Sequence, residues 1–206
     1  MAYDQATHET VLFGGFGNPE YYVDTWACRN GWTKLAPASS PSARSGPGMV
    51  WDGAAENIVL FGGLSSDGTS LNDTWTWDGS TWTQQFPAAS PSPRRTTIAY
   101  DDPTRTVVLF GGDSTNNAAY NDTWTWNGAT WTRQSPASAP SARSMASMAY
   151  DASVGVVVLF GGSSGPGGRP TIPGHGTGPI GPQSTRPMSP LPGGRRPWIT
   201  IRSLRA

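Results

Sequence analysis

Metal and nucleophile chemistry needs convergent side chains, and the residues that supply it are scarce here. His8, His175 and Cys28 are the only histidines and cysteine of the 206-residue chain. Metal sites draw on several His, Cys or carboxylate ligands at once, so a lone His8 between two strands is expected to be a solvated turn residue. One cysteine also excludes an intrachain disulfide. The run Asp113-Ser114-Thr115-Asn116-Asn117 places oxygen ligands at alternate positions, weakly like a calcium loop. It lacks the glycine and closing glutamate of that motif and reads as a polar loop between strands. The paired glycines Gly14-Gly15, Gly62-Gly63, Gly111-Gly112 and Gly161-Gly162 each follow an apolar strand. A phosphate loop would need Gly-Lys-Ser/Thr and a helix behind it; these pairs are expected instead to let the chain bend where neighbouring sheets crowd. No catalytic residue, metal site or cofactor is expected.

The elements that position these residues follow from composition and repetition. Ten Trp, 26 Gly and 19 Pro point to an all-β chain, because Gly and Pro break helices while Trp and Thr favour half-buried strands. The formal net charge of zero gives no overall attraction to nucleic acid or an anionic membrane. That balance averages two unlike parts: residues 1 to 162 hold 14 acids against 8 bases, and residues 163 to 206 hold 6 Arg and no acid. The longest apolar run, Val156 to Phe160, is too short to span a bilayer.

An internal repeat sets the architecture. VLFGG-type segments end at Gly15, Gly63, Gly112 and Gly162, spaced by 48, 49 and 50 residues. An aromatic-Asp pair precedes each one (Tyr3-Asp4, Trp51-Asp52, Tyr100-Asp101, Tyr150-Asp151), and Asp-Thr-Trp follows the first three, at Asp24 to Trp26, Asp73 to Trp75 and Asp122 to Trp124. A further Trp comes next (Trp32, Trp82, Trp131), then an Arg (Arg44, Arg94, Arg143). Each unit reads as four short strands. The first ends at the aromatic-Asp pair and the second is a continuous apolar run covered on both faces. The third alternates Thr with Trp and leads into a hairpin at Asp78-Gly79 or Asn127-Gly128, and the fourth opens at the later Trp. Sheets of four strands repeated at this period are the blades of a β-propeller. One Arg and one Asp per unit predicts an ion pair between them.

The doubled glycine, the aromatic on the third strand (Trp26, Trp75, Trp124), the Trp opening the fourth and the Pro-x-x-Arg before the next unit resemble kelch repeats. The resemblance covers residues 1 to about 162 in four registers: units of about 1–36, 44–86 and 94–135, and a half unit at 143–162. It implies a partial β-propeller of about three and a half blades. Unit one departs at Val23, where Asn72 and Asn121 stand later, and at Cys28, where later units have Trp. Galactose oxidase, a copper enzyme, carries the same repeat, but its chemistry requires a Tyr crosslinked to a Cys, a second Tyr and two His. One Cys and one His within the repeats cannot supply that set.

The expected function is that of a non-catalytic binding module for a protein or carbohydrate ligand. Antiparallel order puts the second-to-third and fourth-to-first connections on one face, and such loops carry recognition on a rigid scaffold. Its candidate ligand contacts are Tyr21, Tyr22, Ser66, Asp67, Asn116, Asn117 and Tyr120. Two alternatives stay open. One is a fragment of a propeller enzyme, oxidase or lyase in type, whose active site lies in missing blades. The other is a truncated or frameshifted reading frame with no function of its own, since Met1 aligns with Met148 inside a first strand. Residues 163 to 206 are rich in Gly, Pro and Arg and are expected to be a disordered tail. No partner role for nucleic acid and no membrane span are expected, whereas open blade faces are expected to favour self-association. The single Lys and the Trp, Thr, Ser and Asn bias resemble secreted bacterial repeat proteins.

Overall fold

In a computed structural model the described residues are 1–116, 118–164 and the strand at 199–201, the last as backbone only. They form an all-β chain without helices. Blade one consists of β1 (Ala2–Asp4), β2 (Glu9–Gly17), β3 (Glu20–Cys28) and β4 (Trp32–Leu35), hydrogen-bonded in that order. In blade two, β5 (Arg44–Ser45) and β6 (Gly48–Asp52) both pair with β7 (Asn57–Ser65), followed by β8 (Ser70–Trp77) and β9 (Trp82–Gln85). Blade three holds β10 (Arg95–Asp101), β11 (Thr106–Asp113), β12 (Thr123–Trp126) and β13 (Trp131–Gln134), and blade four β14 (Ser144–Asp151), β15 (Val156–Ser163) and β16 (Ile199–Ile201). Every pairing is antiparallel, and the first strands of successive blades lie against one another, so β1, β6, β10 and β14 line the inner edge of the fan.

Blade four departs from the sequence reading. No regular structure is expected there beyond residue 162, yet β15 runs to Ser163 and Ile199 to Ile201 pair with Leu159 to Val157 as a third strand. The physical reason is local: Ile-Thr-Ile is a β-branched run that suits a half-buried strand whatever the composition around it. The rest of the expected tail, 165–198 and 202–206, lies outside the described residues.

Turn chemistry at the first hairpin is shared by blades one and two. Asp4 Oδ1 accepts the backbone N–H groups of Ala6 and Thr7, and Asp52 Oδ1 those of Ala54 and Ala55. The residue before β2, β7 or β11 is left-handed, at φ 57° for His8, 53° for Glu56 and 54° for Arg105. Gly79 and Gly128, at φ 95° and 91°, turn the third strand into the fourth as their sequence predicts.

Blades stack through one repeated device. Trp82 of blade two sits edge-on to Phe13 of blade one, ring centroids 5.4 Å apart, and donates its indole N–H to Thr25 Oγ1 at 3.0 Å. Trp131 of blade three repeats this on Phe61, at 5.1 Å, and on Thr74 Oγ1, at 2.9 Å. The second strand supplies both sides of each interface, because alternate residues face opposite neighbours. Val11 and Phe13 thus pack against Ile58, Leu60, Trp77 and Trp82, while Val59 and Phe61 meet Val107, Leu109, Trp126 and Trp131. Each such Trp removes about 200 Å² from water, on the order of 5 kcal/mol before chain entropy is subtracted.

Candidate functional site

The recurring Arg residues organise the loop face, where second-to-third and fourth-to-first connections emerge. Arg44 is buried; its Nη1 and Nη2 donate to the two carboxylate oxygens of Asp73 at 2.6 and 2.8 Å, with further bonds to the Gly62 carbonyl at 3.0 Å and Ser42 Oγ at 2.9 Å. Arg94 repeats the fork on Asp122 at 2.5 and 3.0 Å and bonds the Gly111 carbonyl at 3.1 Å. One side chain therefore ties together the segment leading into a blade, the glycine pair of its second strand and the aspartate opening its third. Burial alone would raise the carboxyls of Asp73 and Asp122. The hydrogen bonds and charge of the paired Arg outweigh that, helped by the Trp75 or Trp124 indole, and hold both below the usual range.

The expected pairing fails at Arg143. Its guanidinium bonds the Gly161 carbonyl at 2.9 Å and Ser141 Oγ at 3.0 Å, with no Asp-Thr-Trp carboxylate to meet, because that motif is missing from the fourth unit. Asp24 has no recurring Arg before it and is served by Trp26 Nε1 at 2.8 Å and Lys34 Nζ at 3.4 Å.

The glycine pairs answer to close backbone approach. A Cβ on Gly14 or Gly111, both left-handed, would lie 2.6 or 2.7 Å from the carbonyl oxygen of Arg44 or Arg143 in the next blade. The second glycine of the pair donates its N–H to that carbonyl: Gly63 to Arg94 and Gly112 to Arg143, each at 2.9 Å. A Cβ on Gly161 would meet nothing within 4 Å among the described residues.

The candidate ligand contacts fall into three groups. Tyr21 and Tyr22 stand on the β2–β3 hairpin; Tyr21 packs on Phe16, centroids 4.8 Å apart, and Tyr22 lies over Gly17 and is exposed. Ser66, Asp67 and Asn116 are exposed on neighbouring loops, which are joined where Thr115 Oγ1 bonds the Ser70 backbone N–H and Ser70 Oγ, each at 2.9 Å. Tyr120 stacks on the Arg94 guanidinium at 3.8 Å and thereby supports the Arg94–Asp122 pair. Asn117 lies outside the described residues.

Two concavities are not foreseen in the sequence. On the loop face, Ser45, Gly46, Arg95, Thr96, Asp113 and Met145 frame a cavity of about 260 Å³. Arg95, about one-third exposed, pairs there with the buried Asp113, where blade two has Ser45 and Leu64 and blade four has Ser144 and Ser163. Along the inner edge of the fan, an axial cleft of about 630 Å³ is lined by the four aromatics of the aromatic-Asp pairs, Tyr3, Trp51, Tyr100 and Tyr150. Their constant register is the signal that could have located it. The histidine of the blades, His8, is a turn residue in contact with the Tyr3 hydroxyl at 3.3 Å.

These blades agree with what the chain is similar to. Over 83 residues, 36% of the chain, it is 32% identical to tRNA wybutosine-synthesizing protein 4 of Emericella nidulans. The chain spans 8% of that relative's length. Residues 2–170 match the KLHDC2/KLHL20/DRC7 Kelch-repeats domain, a kind of domain that is generally a protein-interaction module and typically non-catalytic. On that match and on its repeated blades, the chain belongs to this kelch-repeat family.

Proposed function

We propose that this kelch domain binds a partner protein through its loop face, with Ser66, Asp67, Asn116 and the Tyr21–Tyr22 hairpin as the rim. The observation that carries the reading is the Ser70–Thr115 bonding, which joins the long loops of adjacent blades. Loops held in this way lose little conformational entropy on binding, so more of the contact energy remains as affinity. Beside them Arg95 offers an exposed cationic edge while its buried partner Asp113 holds it in place, an arrangement suited to a polar or acidic partner side chain.

A peptide library displayed on phage and selected against the full chain tests this. Selected peptides are expected to bind Asp67→Ala, Asn116→Ala and Arg95→Ser about tenfold more weakly than the parent, a loss of about 1.4 kcal/mol each. Retained affinity in all three variants, with amide-exchange protection mapping elsewhere, would overturn the loop-face assignment.

A further inference from the structure

The charged side chains are divided unequally between the two ends of the fan. At the end where first strands turn into second strands, Asp4, Asp52, Asp101 and Asp151 close the first strands. Glu9, Glu56, Asp78 and Asp102 stand beside them, at or next to the same turns. The bases at this end are Arg29 and Arg105, leaving a net of −6 from eight acids and two bases. The other six acids and six bases of residues 1 to 162 lie from mid-sheet to the loop face and cancel. Eight of those twelve are held in the pairs Lys34–Asp24, Arg44–Asp73, Arg94–Asp122 and Arg95–Asp113. The whole charge excess of the blades therefore sits at the turn end.

The axial cleft reaches that end: the turn residues Gln5, Gly53 and Asp102 share its lining with the four aromatic rings. Aromatic faces attract cations, more strongly where water is excluded. Burial and the negative charges of Asp52 and Asp102 raise the Tyr100 phenol above its ordinary value, with Arg105 offsetting part of the effect. The apolar residues Met49, Ile98 and Met148 lie between the rings, where the stems of long basic side chains can pack.

We propose that the axial cleft is a second recognition site, opposite the loop face, which takes Lys and Arg side chains from a basic peptide segment of a partner protein. Charge complementarity selects the segment, and the rings of Tyr3, Tyr100 and Tyr150 hold the inserted cations, while Trp51, 8% exposed and packed in the core between blades one and two, backs the wall of the cleft. The site is independent of the loop-face reading and can succeed or fail without it.

The test is anisotropy of a fluorescein-labelled peptide alternating Arg with Gly, titrated with the full chain, against the same peptide carrying Glu for Arg. The Arg peptide is expected to bind, more weakly as salt is raised, and the Glu peptide is not. Asp102→Asn, at an exposed turn, is expected to weaken binding about threefold, and Tyr100→Leu about tenfold. Glu20→Gln, an equal change of charge at the loop-face hairpin, is expected to leave it unchanged. Near-ultraviolet circular dichroism checks that each variant keeps its Trp packing, and Asp102→Asn carries the test if Tyr100→Leu does not. Equal weakening in Glu20→Gln would show diffuse attraction and overturn the site. So would no binding by the full chain, including blockage by its own six Arg in residues 163 to 206.

Discussion

Trp131 of blade three donates its indole N–H to Thr74 of blade two at 2.9 Å, fifty-seven residues away, and Trp82 makes the same bond to Thr25 at 3.0 Å. All four side chains are buried. A hydroxyl on the third strand and a Trp on the next blade's fourth strand thus fix the angle at which blades meet, while the Phe beneath the Trp supplies apolar area.

Thr74→Val keeps the β-branched shape and removes the acceptor. The Trp131 N–H is then left buried without a partner, at about 1–3 kcal/mol. Urea unfolding is expected to show a lower midpoint with unchanged slope. Thr76→Val, one register further along the same strand at a part-exposed position, is expected to change it far less.

Arg94 and Arg143 occupy the same place in successive units but differ in partner. Arg94→Lys loses the bidentate bond to Asp122 and leaves a buried carboxylate poorly paired, an effect on the order of 3 kcal/mol. Arg143→Lys, which disturbs only bonds to the Gly161 and Ser141 oxygens, is expected to cost about 1 kcal/mol. Thermal melts of both variants check the contrast, and equal losses would contradict the staple role of the Arg–Asp fork.

Blade count, strand order, glycine pairs and the Arg–Asp pairing of blades two and three are legible in the sequence, because each rests on a landmark repeated at a fixed spacing. Ile199 to Ile201 escape it because three β-branched residues carry no repeat landmark and their partner strand ends 36 residues earlier. The Arg95–Asp113 pair escapes it for the opposite reason, being unique to one blade. The axial cleft is hidden in plain repetition. Tyr3, Trp51, Tyr100 and Tyr150 read as strand ends; their constant register hints at a shared surface, and the convergence of first strands shows it.

Carboxylates of two kinds set the response to pH. Asp73 and Asp122 lie below their usual range, so their stabilisation is present above the unfolded value near 4 and is lost as pH falls through the lower folded value. Asp101 lies above it through burial, so the folded form holds its proton more tightly than the unfolded form does and its contribution declines as pH rises. Pro103 stands where Ala54 gives Asp52 a backbone N–H, and Asp101 Oδ1 is buried without a hydrogen-bond partner. Asp101→Asn is therefore expected to raise the melting temperature at pH 7 by a few degrees, with the gain shrinking toward pH 3. A gain independent of pH would contradict burial of the charge as its cause.

The outer face of blade one carries the last expectation. At the places where blade two buries Ile58 and Trp77 against its neighbour, blade one has Thr10 and Cys28, and Lys34 lies over the Trp26 ring at 5.9 Å. Trp32 keeps the identity of Trp82 and Trp131 yet is 51% exposed, while they are 1% exposed. This face is thus an interblade surface made partly polar, with one large apolar group still presented to whatever covers it. A second copy of the chain can cover that group by meeting the outer face of blade one. Sedimentation velocity across micromolar concentrations is expected to show association that Trp32→Glu abolishes and that Thr10→Ile with Cys28→Trp strengthens, the latter by returning apolar area at about 25 cal/mol per Å². A parent chain that stays monomeric, or association that Trp32→Glu leaves intact, would show that the outer face of blade one does not seek a second copy.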